Sequence, residues 1–124
     1  MRTLAILILS LLTLLSAPAL GADFDKGVSA FQRGDYAIAL REWTPLAEQG
    51  HAKAQHNLGV MYGVGWGVIQ DYVQAYMWSN IARSNGSSKS QKLLTLMEEQ
   101  MTASQISEAQ TAARDCVAKG YKGC

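Results

Sequence analysis

Proline is scarce in this chain, and after residue 22 Pro45 is the only one. No stretch sustains the alternation of apolar and polar residues that a half-buried strand needs, so a sheet is not expected. Lysine and arginine never cluster beyond a pair, and with Arg2 set aside the basic and acidic residues balance at about ten each. Such a neutral chain lacks the accumulated phosphate contacts on which nucleic-acid affinity rests, which argues against a nucleic-acid ligand. Histidine is limited to His51 and His56, five positions apart and off a shared helix face. With no cysteine or carboxylate at ligand spacing, they predict no metal site, and exposed or groove-lining histidines are the plainer expectation. Gly63-x-Gly65-x-Gly67 lacks the Gly-Lys-Ser/Thr of a phosphate loop and follows a helix, so no nucleotide cofactor is expected. Glu98-Glu99 is expected to be a solvated patch rather than an acid/base pair. Nothing in this inventory nominates a reaction, and the expectation is that the chain is not an enzyme.

What is present begins with an address. Arg2 is followed by an apolar run from Leu4 to Leu15, then by Ser16, Ala17, Pro18 and Ala19. Positive charge, a short apolar core and a small-residue exit mark a secretory signal peptide. A core of about a dozen residues is short for a membrane span, which needs roughly 20; a retained anchor is the alternative. Ala19-Leu20-Gly21 places small residues at the positions that a signal peptidase reads, so 1–21 is expected to be removed, or one residue more. With no cysteine beside that site, a lipoprotein anchor is not expected. The product is expected to be exported, periplasmic or secreted, monomeric and free of a membrane span. About 103 residues remain, enough for one domain with a modest core.

In that domain the apolar spacing is helical. Ala54, Leu58, Met61 and Tyr62 form one stripe; Ile106, Ala109, Ala113, Cys116 and Val117 form another. Gly34, Gly50, the Gly63–Gly67 run, Asn85-Gly86 and Gly120 separate the stripes, predicting helices near 24–33, 36–49, 52–64, 71–84, 88–100 and 103–118. Asp35 and Asp71 stand at N-cap positions, and Thr102 with Gln105 forms a T-x-x-Q capping box. Pro45 removes one donor inside the second helix and predicts a kink there. Short connections make successive helices antiparallel neighbours, giving about three hairpins.

The chain also repeats itself. Asp35, Tyr36, Ala39 and Gly50 recur 36 residues later as Asp71, Tyr72, Ala75 and Gly86, and Trp43 with Ala47 recurs as Trp78 with Ala82. Self-similarity at this period is the mark of a solenoid, whose helix pairs must stack to close their apolar faces. Each indole is then expected to bury on the order of 200 Å² between adjacent hairpins. The recurring alanines, and Gly59 between Leu58 and Tyr62, let helix backbones approach closely.

The stretch Ala54-x-x-x-Leu58-Gly59-x-x-Tyr62-x-x-Gly65-x-Gly67-Val68, followed by Asp71-x-x-x-Ala75-x-x-Trp78-x-x-x-Ala82-x-x-x-Gly86, resembles the Sel-one-like repeat, a longer-looped relative of the tetratricopeptide repeat. The preceding unit is a shorter version, with Phe31-x-x-Gly34 mirroring Tyr62-x-x-Gly65. Residues 87–118 keep only helical periodicity. The division expected is thus a leader at 1–21 and a repeat domain at 22–124, with repeats at about 24–50 and 51–86 and a terminal cap at 87–124. The resemblance implies a right-handed α/α superhelix whose first-of-pair helices line a concave face, and a role as scaffold or adaptor for a protein or peptide. Counted from Leu58 and Gly59, the outward positions of the third helix are Lys53, His56, Asn57 and Val60. In related tetratricopeptide repeats such positions hold extended peptides or chain-terminal carboxylates, and Lys53 and Asn57 carry suitable donors; a solvated face is the alternative for each. Trp66 lies outside the positions that the repeat explains. It either folds over the hairpin end or projects as an aromatic anchor.

Cys116 and Cys124 are the only two cysteines, and an even count in a small exported domain favours a disulfide. A reactive free thiol and two inert thiols are the alternatives. The cysteine-rich branch of the same repeat family staples helix pairs at this spacing. Beside the adaptor stand two other functional readings: a cell-wall or antibiotic-directed hydrolase, for which no convergent cluster is visible, and an inhibitor of a partner enzyme.

Overall fold

The computed structural model describes residues 21–124. The expected leader, all but its last residue, lies outside them. Among the described residues there are six helices and no strand: α1 (Phe24–Gln32), α2 (Tyr36–Glu48), α3 (Ala52–Val64), α4 (Tyr72–Ser84), α5 (Ser90–Glu98) and α6 (Ala103–Ala118). The breakers fall where the sequence puts them. Only α5 is clearly shorter than its stripe. Lys89 at its N-cap has no oxygen to offer the free amides, and Glu98 and Glu99 bring negative charge to its negative end.

Capping explains the other starts, with one correction. Asp71 accepts from the Gln74 amide at 3.1 Å, and the Thr102–Gln105 box is complete, with bonds of 2.9 and 3.2 Å. Asp35 occupies its cap position but makes no side-chain cap bond. Its amide is tied back to the Ala30 carbonyl at 2.8 Å, and this short link holds its backbone outside the extended region that capping needs. Two caps not expected from the sequence appear. Asp23 accepts from Asp25 and Lys26 amides, and His51 Nδ1 accepts from the Ala54 amide at 3.1 Å. Pro45 does not stop α2, which runs through it.

Packing follows chain order: α1 on α2, α2 on α3, α3 on α4 and α4 on α5, with further contacts of α3 to α5 and α4 to α6. This fits a helical bundle or a short repeat stack. Trp43 and Trp78, 2% and 4% exposed, both sit in the main core with Ala39, Ala47, Leu58 and Ile81. The partners of Trp43 differ from the expectation. Its ring lies against Phe24 and Phe31 of α1, at centroid distances of 6.0 and 5.6 Å, and its Nε1 donates to the Phe24 carbonyl at 3.1 Å. It therefore closes its own hairpin first. Glu42 fastens the same hairpin, accepting the Asp23 amide at 3.0 Å with Lys26 Nζ 3.5 Å away. That amide, aided by Lys26 and Arg41, holds the Glu42 carboxyl below the usual carboxylate range against the opposing effect of burial.

The third helix pair is not a closed hairpin. α5 and α6 both rest on α4, with only slight backbone contact between them. A second apolar cluster, Ala75, Tyr76, Leu94, Met97 and Ala109, fills the space they share. Tyr76 belongs to that cluster, and its hydroxyl donates to Glu98 at 3.0 Å.

α3 and α4 approach closely at Gly59. A Cβ there would meet the Ser79 hydroxyl and lie 3.2 Å from the Ala75 carbonyl, which is backbone and cannot turn away. Gly59→Ala is expected to cost about 1–3 kcal/mol by forcing these helices apart. Urea unfolding followed by circular dichroism checks this; an unchanged midpoint would show that the two helices have slack.

Candidate functional site

Four of the sequence-selected residues lie on one face. Lys53, His56 and Asn57 line a cavity of about 440 Å³ whose far wall is the α4–α5 turn, with Asn85 and Lys89. Asn57 and Val60 line a second cavity of about 340 Å³ against α1, with Val28, Phe31 and Trp43. Asn57 belongs to both, so the two adjoin along α3. The first is polar at its rim, with Phe24 at one side; the second is mainly apolar.

Helix periodicity explains the alignment. Ala54, Leu58 and Met61 face inward and are buried, as are Gln55 and Gly59, which leaves Lys53, His56, Asn57 and Val60 on the less buried face. The far wall is held by a polar chain through the core. Gln55, fully buried, donates to the Ala47 carbonyl at 3.0 Å and accepts from Asn85 Nδ2 at 2.9 Å. Asn85 also meets the Tyr121 hydroxyl at 3.3 Å. A buried amide satisfied on both sides fixes the spacing of α2, α3 and α4.

His56 is half-buried. Its Nδ1 shares a hydrogen bond of 2.9 Å with Ser90 Oγ, which also lies 3.0 Å from Ser87 Oγ. Burial, and then the charge of Lys89, pushes the imidazole below the usual histidine range. The pair joins a base to a hydroxyl, but Ser90 is fully buried and no carboxylate lines the cavity to orient His56. Its geometric effect is to fasten α3 to the start of α5. His51 faces elsewhere, capping α3 and stacked on Phe24 at 5.0 Å. Among the described residues, no group of histidine, cysteine and carboxylate side chains could hold a metal ion.

Trp66 folds back rather than projecting. Its ring stacks on Tyr36 at 5.4 Å and meets Phe31 edge-on at 5.2 Å. Gly67 makes this fold possible. At φ 73° it adopts a backbone that side-chain-bearing residues avoid, and a Cβ there would press on Tyr36 at 3.0 Å. Trp66 thus stands behind Phe31 and stiffens one wall of the apolar cavity.

Lys89, Asn85 and Phe31 are site residues that the sequence did not single out. Asn85 reads as a breaker and Phe31 as a motif position. Lys89 falls in the segment without motif register, so no sequence signal places it opposite Lys53.

Cys116 and Cys124 are joined in a disulfide, with Cα atoms 5.5 Å apart. The tail that it closes turns through Gly120 and through Tyr121 at φ 67°, and Gln74 of α4 donates to the Cys124 carbonyl at 3.3 Å. Among the described residues no helix is long and apolar enough to cross a membrane. No protein-family model and no curated protein matches the chain.

Proposed function

We propose that this protein is an exported scaffold or adaptor of the Sel-one-like type, a short right-handed superhelix that holds a protein or peptide in its concave face. The observation that carries this reading is the convergence of Lys53, His56, Asn57 and Val60 on two adjoining cavities along one helix. A groove with an apolar floor and a few amide and ammonium donors suits an extended peptide, whose backbone needs donors and whose side chains need pockets. The disulfide fits an oxidising compartment, which agrees with the leader-like sequence at 1–21. Trp66 contributes by bracing the groove wall.

Site-specific photocrosslinking in the native compartment tests the proposal. A benzophenone side chain in place of Asn57 is expected to trap a discrete partner, whereas one in place of exposed Thr111 on α6 is not. Equal or absent trapping from the two positions would overturn the groove.

A further inference from the structure

We propose that the groove selects an extended peptide bearing an acidic side chain beside an apolar one, the acid seated between Lys53 and Lys89 and the apolar group against Phe31 and Val60. This rests on the reading of that face as a partner-binding groove and names the chemistry of the partner.

Charge carries the argument. Basic and acidic residues nearly balance over the whole chain, yet neither cavity is lined by an aspartate or glutamate. Lys53 comes from α3 and Lys89 from the residue just before α5, so the fold, and not a run in the sequence, brings two ammonium groups to one cavity. Neither lysine has a carboxylate partner within ion-pair distance; the ion pair among the described residues is Lys26 with Glu42. An entering carboxylate would meet both ammonium groups and the Asn57 amide. Complementarity of this kind sets which partner binds more than how tightly.

The second cavity sets the companion side chain. Val28, Phe31, Trp43 and Val60 offer it apolar surface, and Gln32 and Asn57, the polar residues of its lining, can pair with a peptide backbone. Lys53 and Val60 are separated along α3 by roughly 10 Å at about 1.5 Å per residue. An extended chain rises about 3.3 Å per residue, which puts the acidic and apolar side chains about three residues apart.

His56 reports on occupancy. It faces Lys53 from its own helix, and Lys89 with the hydroxyls of Ser87 and Ser90 from the approach to α5. An anion placed there offsets the charge of Lys89 and favours the imidazolium. By linkage the same ligand then binds more tightly as the pH falls and His56 takes up its proton.

The test is a heteronuclear NMR titration of the mature chain. The probes are end-blocked alanine-based peptides with leucine and glutamate three residues apart, in either order, and the same peptides with glutamine for glutamate. Glutamate peptides are expected to shift the signals of Lys53, His56, Asn57 and Val60, to bind roughly tenfold more tightly than their glutamine counterparts, and to raise the pH at which His56 titrates. The preference should vanish in Lys53→Gln/Lys89→Gln, whose positions are exposed, and weaken with added salt. Equal affinity of the two peptide sets, or glutamate peptides that leave the groove signals unmoved, would overturn the proposal. If position 57 still traps a partner in the cell, the acidic preference alone is lost; if it traps none, the groove itself is lost.

Discussion

Trp43→Ala is expected to destabilise the domain by about 3–5 kcal/mol, the cost of emptying a large aromatic site in a packed core. The indole touches Phe24 and Phe31, donates to the Phe24 carbonyl, and fills the space left by Gly27, where a Cβ would collide with the ring. Its loss leaves α1 held by Glu42, by the short link at Gly34 and Asp35, and by the contacts of Phe24 with His51 and of Phe31 with Tyr36 and Trp66. Domains of this size hold about 5–15 kcal/mol in all, so the variant should sit near its unfolding midpoint at modest urea. Trp43→Phe keeps most of the ring and forfeits the donor, which is expected to cost nearer 1 kcal/mol from the lost hydrogen bond, with a smaller packing loss. Gly27→Val tests the same contact from the other side and should also destabilise, because even a Cβ there collides with the indole. Urea unfolding read by circular dichroism orders the three. A loss below about 1 kcal/mol in Trp43→Ala would show that the aromatic cluster is dispensable. Trp43 and Phe31 also line the apolar cavity, so the same substitution should reshape it.

Removal of the disulfide comes second. Cys116→Ala/Cys124→Ala is expected to lower stability by about 2–3 kcal/mol in the chain-entropy account, which lowers Tm by on the order of 10 °C for a domain of this length. Alanine is the right replacement at position 116, because Cys116 is buried and alanine brings no polar group into that site. The effect should spread along one line. The bridge holds Tyr121 in a left-handed backbone, Tyr121 reaches Asn85, and Asn85 pairs with buried Gln55. Hydrogen exchange is expected to quicken around residues 116–124 and at the α4–α5 turn while α1 keeps its protection. A melting temperature unchanged by the substitution or by reductant would remove the bridge as a stabiliser.

Much of this was legible in the sequence. Leu58, Met61 and their neighbours fixed the inward face of α3, and Lys53, His56, Asn57 and Val60 followed as its complement. Thr102 with Gln105 marked a helix start because both partners of that cap lie within one turn. Asp35 misled for the opposite reason: its capping depends on backbone angles, which the link to Ala30 dictates. Trp66 was left between two placements because an indole flanked by glycines can turn either way until Tyr36 and Phe31 are in position. The third hairpin was expected closed, since short connections suggest neighbours; instead α5 and α6 each pack on α4, and side chains of all three share one cluster.

By itself the sequence determined that this chain is helical, where its breaks fall, that Ala54, Leu58 and Met61 face the core and which pair of thiols can bond. Those properties depend on residues within a few turns of one another, so periodicity and spacing reveal them. Only the tertiary structure decided that Lys89 stands across from Lys53, that Gln55 spans three helices, and that Trp66 backs Phe31. Each joins residues 30 or more positions apart or from separate helices, and nothing in a linear pattern specifies the rotation at which two packed helices meet.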